Sequence, residues 1–225
     1  MREKSASGLR RVGVRIGVVS AAVAVVLGSS LAPAVAADLG DQGTAELGSV
    51  NVQGANPSSS GPIIGCDVNE LQQGTTPGVS YPGVSFGAGT TSCKKEANGD
   101  ANIKVTGNKF ELSLFNKSEY GKRLLRVKSF EVTCQSTENG TSTSFKLNGY
   151  SGFTLPSPVP QNHVVKIPGK RSTDAPVARL VLNKYDSKDG ASSLTAMRIV
   201  LDPQDAYGAI GGTVDVGVTA CAPTW

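Results

Sequence analysis

From residue 101 to residue 219 the sequence is a succession of short runs in which apolar and polar residues alternate, broken roughly every ten residues by turn chemistry. Phe130, Val132 and Cys134 share one face of such a run; Val214, Val216 and Val218 share a face of another, with Asp215 and Thr219 opposite. A period of two with polar residues between puts one face of a strand in a core and the other in water. No window of eleven or more residues shows a 3.6 period without Gly or Pro, and the one helical-looking piece, residues 67–73, is short. The alternation predicts strands over 101–106, 110–115, 124–134, 142–149, 164–167, 177–185, 194–201 and 212–219. Asn98-Gly99, Asn139-Gly140 and Asp189-Gly190 supply turns whose first residues tolerate positive φ. Leu125 and Val127 are out of phase with Phe130 and Val132, which predicts a bulge near Lys128 and Ser129. Antiparallel strands without crossover helices imply an all-β fold, an antiparallel β-sandwich of Greek-key or jelly-roll type, as a single domain over residues 62–225.

The chain before residue 100 reads differently. Residues 38–61 are rich in Gly, Ser, Asn and Gln, with Asn56-Pro57-Ser58-Ser59-Ser60-Gly61 as the clearest linker. Such a stretch buries too little to offset the entropy of ordering it, so a flexible lead-in is expected. Between Cys66 and Cys93 glycines and two prolines dominate, and one short alternation, Val79, Tyr81 and Val84, predicts loops with a single edge strand.

Residues 1–37 have the layout of a secretion signal. Arg2, Lys4, Arg10, Arg11 and Arg15 form a basic start, the chain is then uncharged from Ile16 to Ala37, and small residues end it at Ala34-Val35-Ala36-Ala37. Cleavage is expected after Ala36 or Ala37, by the general secretory route, because the residues after Arg10-Arg11 match a twin-arginine signal weakly. The alternative is an uncleaved anchor, but Gly28, Ser29, Ser30 and Pro33 shorten the apolar part. No stable membrane span is expected after cleavage. Five of the 22 basic and one of the 18 acidic residues lie in this segment, leaving 17 of each in the mature chain. A basic footprint for nucleic acid or anionic lipid is therefore not expected.

The mature chain carries four cysteines, Cys66, Cys93, Cys134 and Cys221. An even number in an exported chain implies two disulfides, and none of the spacings is the close pair that presets thiolates for zinc. Three pairings are open. Economy favours Cys66 with Cys93, closing a region poor in core residues, and Cys134 with Cys221, joining the ends of two apolar strands.

Candidate chemistry is sparse. Gly83-Val84-Ser85-Phe86-Gly87 fits the nucleophile-elbow pattern, but that pattern needs a strand turning sharply into a helix, and Ala88-Gly89-Thr90-Thr91-Ser92 is no helix. His163, the one histidine, follows a turn proline and reads as a surface residue rather than a general base. Asp186-Ser187-Lys188-Asp189-Gly190 puts a lysine where a calcium loop would want an oxygen, so a solvated hairpin turn is expected. No local motif marks a carboxylate pair for glycoside hydrolysis. Leu155-Pro156-Ser157-Pro158 resembles a sortase motif only superficially and lies mid-chain. No catalytic residue, cofactor or metal is expected.

Phe130-Glu131-Val132-Thr133-Cys134, then Pro160-Gln161-Asn162 before a short strand, then Leu180-Val181-Leu182-Asn183, Ser193-Leu194-Thr195-Ala196-Met197-Arg198-Ile199 and a closing Val218-Thr219-Ala220-Cys221 occur in that order. Together they resemble the actinobacterial secreted proteins of the choice-of-anchor P family, over roughly two fifths of the chain. The resemblance implies an extracellular β-rich domain of unassigned biochemical role, and it supplies no catalytic residues. Relatives of that kind often carry a C-terminal anchoring segment; Ala222-Pro223-Thr224-Trp225 is not one, so covalent wall attachment is not expected. The reading is a secreted, non-enzymatic cell-envelope or extracellular protein that meets an envelope or extracellular partner through its loops. The alternative is a secreted hydrolase using Ser85 or an unmarked carboxylate pair.

Overall fold

The computed structural model describes residues 43–54, 56–171, 173–202 and 210–223. The signal segment and its cleavage site lie outside the described residues. All described residues belong to one unit, Val35–Trp225.

The strands in chain order are β1 (Gly43–Gln53), β2 (Ser58–Ser59), β3 (Ile63–Asp67), β4 (Gln73–Tyr81), β5 (Val84–Lys95), β6 (Ala101–Leu112), β7 (Leu125–Thr137), β8 (Gly140–Ser151), β9 (His163–Ile167), β10 (Ala178–Lys188), β11 (Ala191–Leu201) and β12 (Gly211–Cys221). A single turn of 3₁₀ helix, Ser118–Tyr120, sits between β6 and β7. The strands form two antiparallel sheets: β4-β5-β6-β7-β8, and β2-β1-β12-β11-β10-β9 with β3 also on β1. This is the expected all-β sandwich. In the smaller sheet consecutive strands lie side by side. In the larger one β1 lies beside β12, at the end of the consecutive run β9 to β12, and the long connection between them passes through the smaller sheet after β3 and returns after β8, a Greek-key-like arrangement.

Both expected disulfides are present, Cys66 with Cys93 and Cys134 with Cys221. Each ties one sheet to the other: β3 to β5, and β7 to β12.

Three expectations before residue 100 are corrected. Residues 43–53, expected within a flexible lead-in, are β1, paired along their length with β12 and burying Ala45, Leu47, Val50 and Val52. The region between Cys66 and Cys93 holds the β4–β5 hairpin rather than a single strand among loops. The helical-looking piece after Asp67 is a turn, with Asn69 N donating to Asp67 Oδ1. Further on, the two runs 101–106 and 110–115 are one strand, β6, ending at Leu112.

The phase change in β7 has a cause that a single bulge would not supply. Leu125 and Val127 face inward, then Phe130, Val132 and Cys134 do, so Lys128 and Ser129 both face out. The β6–β7 register is unbroken across this point, Asn108 opposite Ser129 and Phe110 opposite Val127, so no residue is inserted. Every strand of the sheet reverses phase along the same line: at Gly87 and Ala88 on β5, Asn108 and Lys109 on β6, and Asn148 and Gly149 on β8. Alternate strands carry a positive-φ residue on the line, Gly78 on β4, Lys109 on β6 and Gly149 on β8. The facing sheet does the same with Ile64 on β3, Gly217 on β12 and Asn183 on β10.

Across these lines the sheets interlock. Leu47 of β1 lies over Gly89 and Gly107, where an added Cβ would come within 2.5 and 2.8 Å of its Cδ1. Phe86 and Phe110 pack edge to face, with centroids 5.1 Å apart. Large side chains on one sheet thus occupy the space that glycines leave on the other.

Candidate binding groove and polar clusters

The residues singled out in the sequence are dispersed. Ser85 lies within β5, opposite Ser80 and Glu111, and faces away from the core between the buried Val84 and Phe86. A serine there is the second residue of a strand entered from a β-hairpin turn, not at the strand-to-helix turn that the elbow requires. His163 begins β9, at the far edge of the other sheet, opposite Leu182. Asp189 and Gly190, with φ of 53° and 83°, make the two-residue turn between β10 and β11, as a solvated hairpin turn should. Among the described residues no group of three or more His, Cys, Asp or Glu is placed to hold a metal ion, and no helix is long and apolar enough to cross a membrane.

One polar cluster went unmarked because its members are far apart in sequence. On the outer face of the larger sheet, Arg198 of β11 donates from Nε and Nη2 to Asp215 of β12 at 2.6 and 2.8 Å. This bidentate bond raises the guanidinium pKa above its ordinary value. Glu46 of β1 is on the same face, opposite Val218 and Gly65. Burial, and then the charge of Asp215, push its carboxyl above the usual range.

Glu46 therefore carries a pH signature. A raised folded-state pKa means that the folded chain holds the proton more tightly than the unfolded chain does. Stability from the site is fully present below the unfolded value, about 4.3, and is lost as pH rises through the folded value. Glu46→Gln removes that loss. The variant is expected to be more stable than the parent at neutral pH, with the difference vanishing below about pH 4. Urea unfolding across this range checks it; a variant less stable at neutral pH would show that the carboxylate makes a stabilising bond.

A concave surface occurs at the open side of the sandwich. Residues 152–162 cross there from β8 to β9, and Phe153, Leu155 and Val159 pack against the core. Two asparagines fasten this strap. Asn183 Nδ2 donates to Val159 O at 3.1 Å, while Asn162 exchanges hydrogen bonds with the Tyr185 backbone through Nδ2 and Oδ1 at 3.2 and 3.1 Å. Both asparagines have positive φ, which Asn tolerates better than most residues. Between strap and strand is a groove of about 390 Å³, with Phe145, Leu147 and Tyr150 of β8 on one wall and Leu155 to Val159 on the other. Tyr150 is 39% exposed and stacks on Phe153 with centroids 5.3 Å apart, so one end of the groove opens to solvent through an aromatic pair.

β8 is also a sheet edge. It pairs with β7 over its length, and no strand pairs with its other side among the described residues. Its outer face continues a set of cross-strand pairs. Thr133 and Ser144 hydroxyls lie 2.8 Å apart, and Glu131 of β7 sits between Lys104 of β6 at 2.7 Å and Lys146 of β8 at 3.9 Å. The hydrogen bond from Lys104, with the charges of both lysines, holds the Glu131 carboxyl below its ordinary range.

Phe145 and Leu147 alternate within the expected strand 142–149, but nothing local assigns them to a groove. The strap's Leu155-Pro156-Ser157-Pro158, set aside as a sorting signal, forms the opposite wall. No family model, no curated protein and no solved structure matches this chain.

Proposed function

We propose that this is a secreted, non-enzymatic binding protein of the cell envelope or extracellular space, and that it binds through the groove between β8 and the strap. The observation that carries the reading is that groove, a concavity of about 390 Å³ walled by Phe145, Leu147, Tyr150 and the strap, alongside a strand edge that pairs with no other strand among the described residues. Binding surfaces are concave and mostly apolar, with a few polar groups to fix orientation. Export is part of the proposal: the signal-like residues 1–37 and two inter-sheet disulfides support an oxidising destination. The resemblance to the choice-of-anchor P proteins supports an actinobacterial envelope setting, and balanced mature charge argues against a nucleic-acid partner.

The test is retention of the secreted chain on envelopes of the producing organism, with its N-terminus read by mass spectrometry. The expected N-terminus is Ala37 or Asp38. Leu155→Ser with Tyr150→Ala, both at the groove, is expected to abolish retention while leaving the far-ultraviolet dichroism unchanged. Equal retention of a folded variant would overturn the groove as the binding surface.

A further inference from the structure

We propose that β8 accepts an extended polypeptide as an added strand, one whose side chains run apolar, acidic, apolar. This rests on the groove being a binding surface and says what chemistry it takes.

The backbone of β8 is the first ground. Edge strands are ordinarily blunted by shortness, by proline, by charge or by a covering segment. β4, the other edge of its sheet, contains Pro77, and β9 is only 5 residues long. β8 runs for 12 residues without proline, and Lys146 is its one charged side chain. Extended peptides dock on such edges through main-chain hydrogen bonds, and alternate side chains then give specificity.

The charge row gives the second ground. Glu131 of β7 stands directly opposite Lys146 of β8 and diagonally from Lys104 of β6, whose own partner across the strands is Thr133. Glu131 supplies one negative charge to two lysines and is nearer Lys104. Lys146, at the edge with 72% of its side chain exposed, keeps its charge largely uncompensated. The next position outward in this row, on an added strand, favours a carboxylate, since opposite charges directly across a pair of strands attract.

The pleat then fixes the neighbours. If the residue opposite Lys146 points to the outer face, the residues on either side of it point inward. There they meet Phe145 and Leu147 at the groove, so both are apolar. One step further out the partner again faces outward, beside Ser144 and Asn148, where Thr133 and Ser129 already make hydroxyl and amide pairs. Small polar residues fit those two places.

The probe is the heptapeptide acetyl-Ser-Thr-Leu-Glu-Leu-Thr-Ser-amide, titrated into the full disulfide-bonded chain labelled with nitrogen-15. Saturable shifts of β8 amides are expected. Lys146→Glu, at an exposed position, should weaken this peptide about fivefold, and the peptide with lysine in place of glutamate should regain the loss on that variant. Leu155→Ser should weaken both peptides on both backgrounds. Equal binding of the two peptides to parent and variant would overturn the acidic rule while leaving the groove as a binding surface. Shifts confined to Tyr150 and the strap would overturn strand addition but not the groove. Absence of any shift at millimolar peptide would overturn the proposal, and retention on envelopes would then judge the binding reading separately.

Discussion

Replacing Cys134 and Cys221 together by serine is expected to lower the unfolding free energy by about 4 kcal/mol. The bond joins β7 of one sheet to β12 of the other across a sequence separation of 87, with both cysteines essentially inaccessible to solvent. The loop so closed contains β8 to β11, four of the twelve strands. In the chain-entropy account a cross-link of this span removes about 4.5 kcal/mol of freedom from the unfolded chain, against about 3.5 for Cys66 and Cys93 at a separation of 27. β12 lies between β1 and β11 in its sheet, so its release also loosens both neighbours. The double replacement avoids a lone thiol that could form wrong bonds. Urea midpoints of parent and variant measure the loss; a loss below about 1 kcal/mol would show that the sheets hold together without this cross-link.

Gly217→Ala is the second large effect, expected to cost about 2–4 kcal/mol. Gly217 sits on the phase-reversal line of β12 with φ of 64°, where an L side chain is strained. The added methyl would also approach Val132 Cγ2 to 2.8 Å and Phe130 Cδ2 to 3.0 Å, both from the facing sheet. Phe130 has nowhere to retreat, because it already occupies the space left by Gly107. Gly61→Ala is the control: nothing lies within 4 Å of the added methyl, and stability should change by less than about 0.5 kcal/mol. If Gly217→Ala matched that control, the interlocking of the sheets would be looser than its geometry implies.

The sequence was legible where inward positions are large and outward ones polar, as in β7 from Phe130 on and in β12 up to Val216; past Gly217 the phase reverses, so Thr219 is buried and Val218 is not, contrary to the face expected for them. There Phe130, Val132, Val214 and Val216 mark the buried face directly. β5 resisted because its inward positions include Gly89 and Thr91, the first of them small because Leu47 fills the space above it. β1 resisted for another reason: Ala45 and Leu47 are in one phase, Val50 and Val52 in the other, so the strand lacks a continuous alternation. The same reversal made Lys128 and Ser129 read as a bulge, since a sequence shows one strand at a time and the line runs through all of them. Disulfide pairing followed from chain economy. The groove did not, because the strap acquires meaning only once β8 is known to be an edge. Arg198, Asp215 and Glu46 likewise meet through sheet register, which local spacing does not encode.

Among the described residues β8 is an edge with one side of its backbone unpaired, and amide hydrogen exchange read residue by residue tests this directly. In an antiparallel edge strand, successive N–H groups point alternately to the neighbouring strand and away from it. Slow and fast exchange should therefore alternate through residues 141–150, while β7 and β11, flanked on both sides, are protected at successive residues. Uniform protection along β8 in the isolated chain would contradict the account, because it would mean that another segment already occupies the edge.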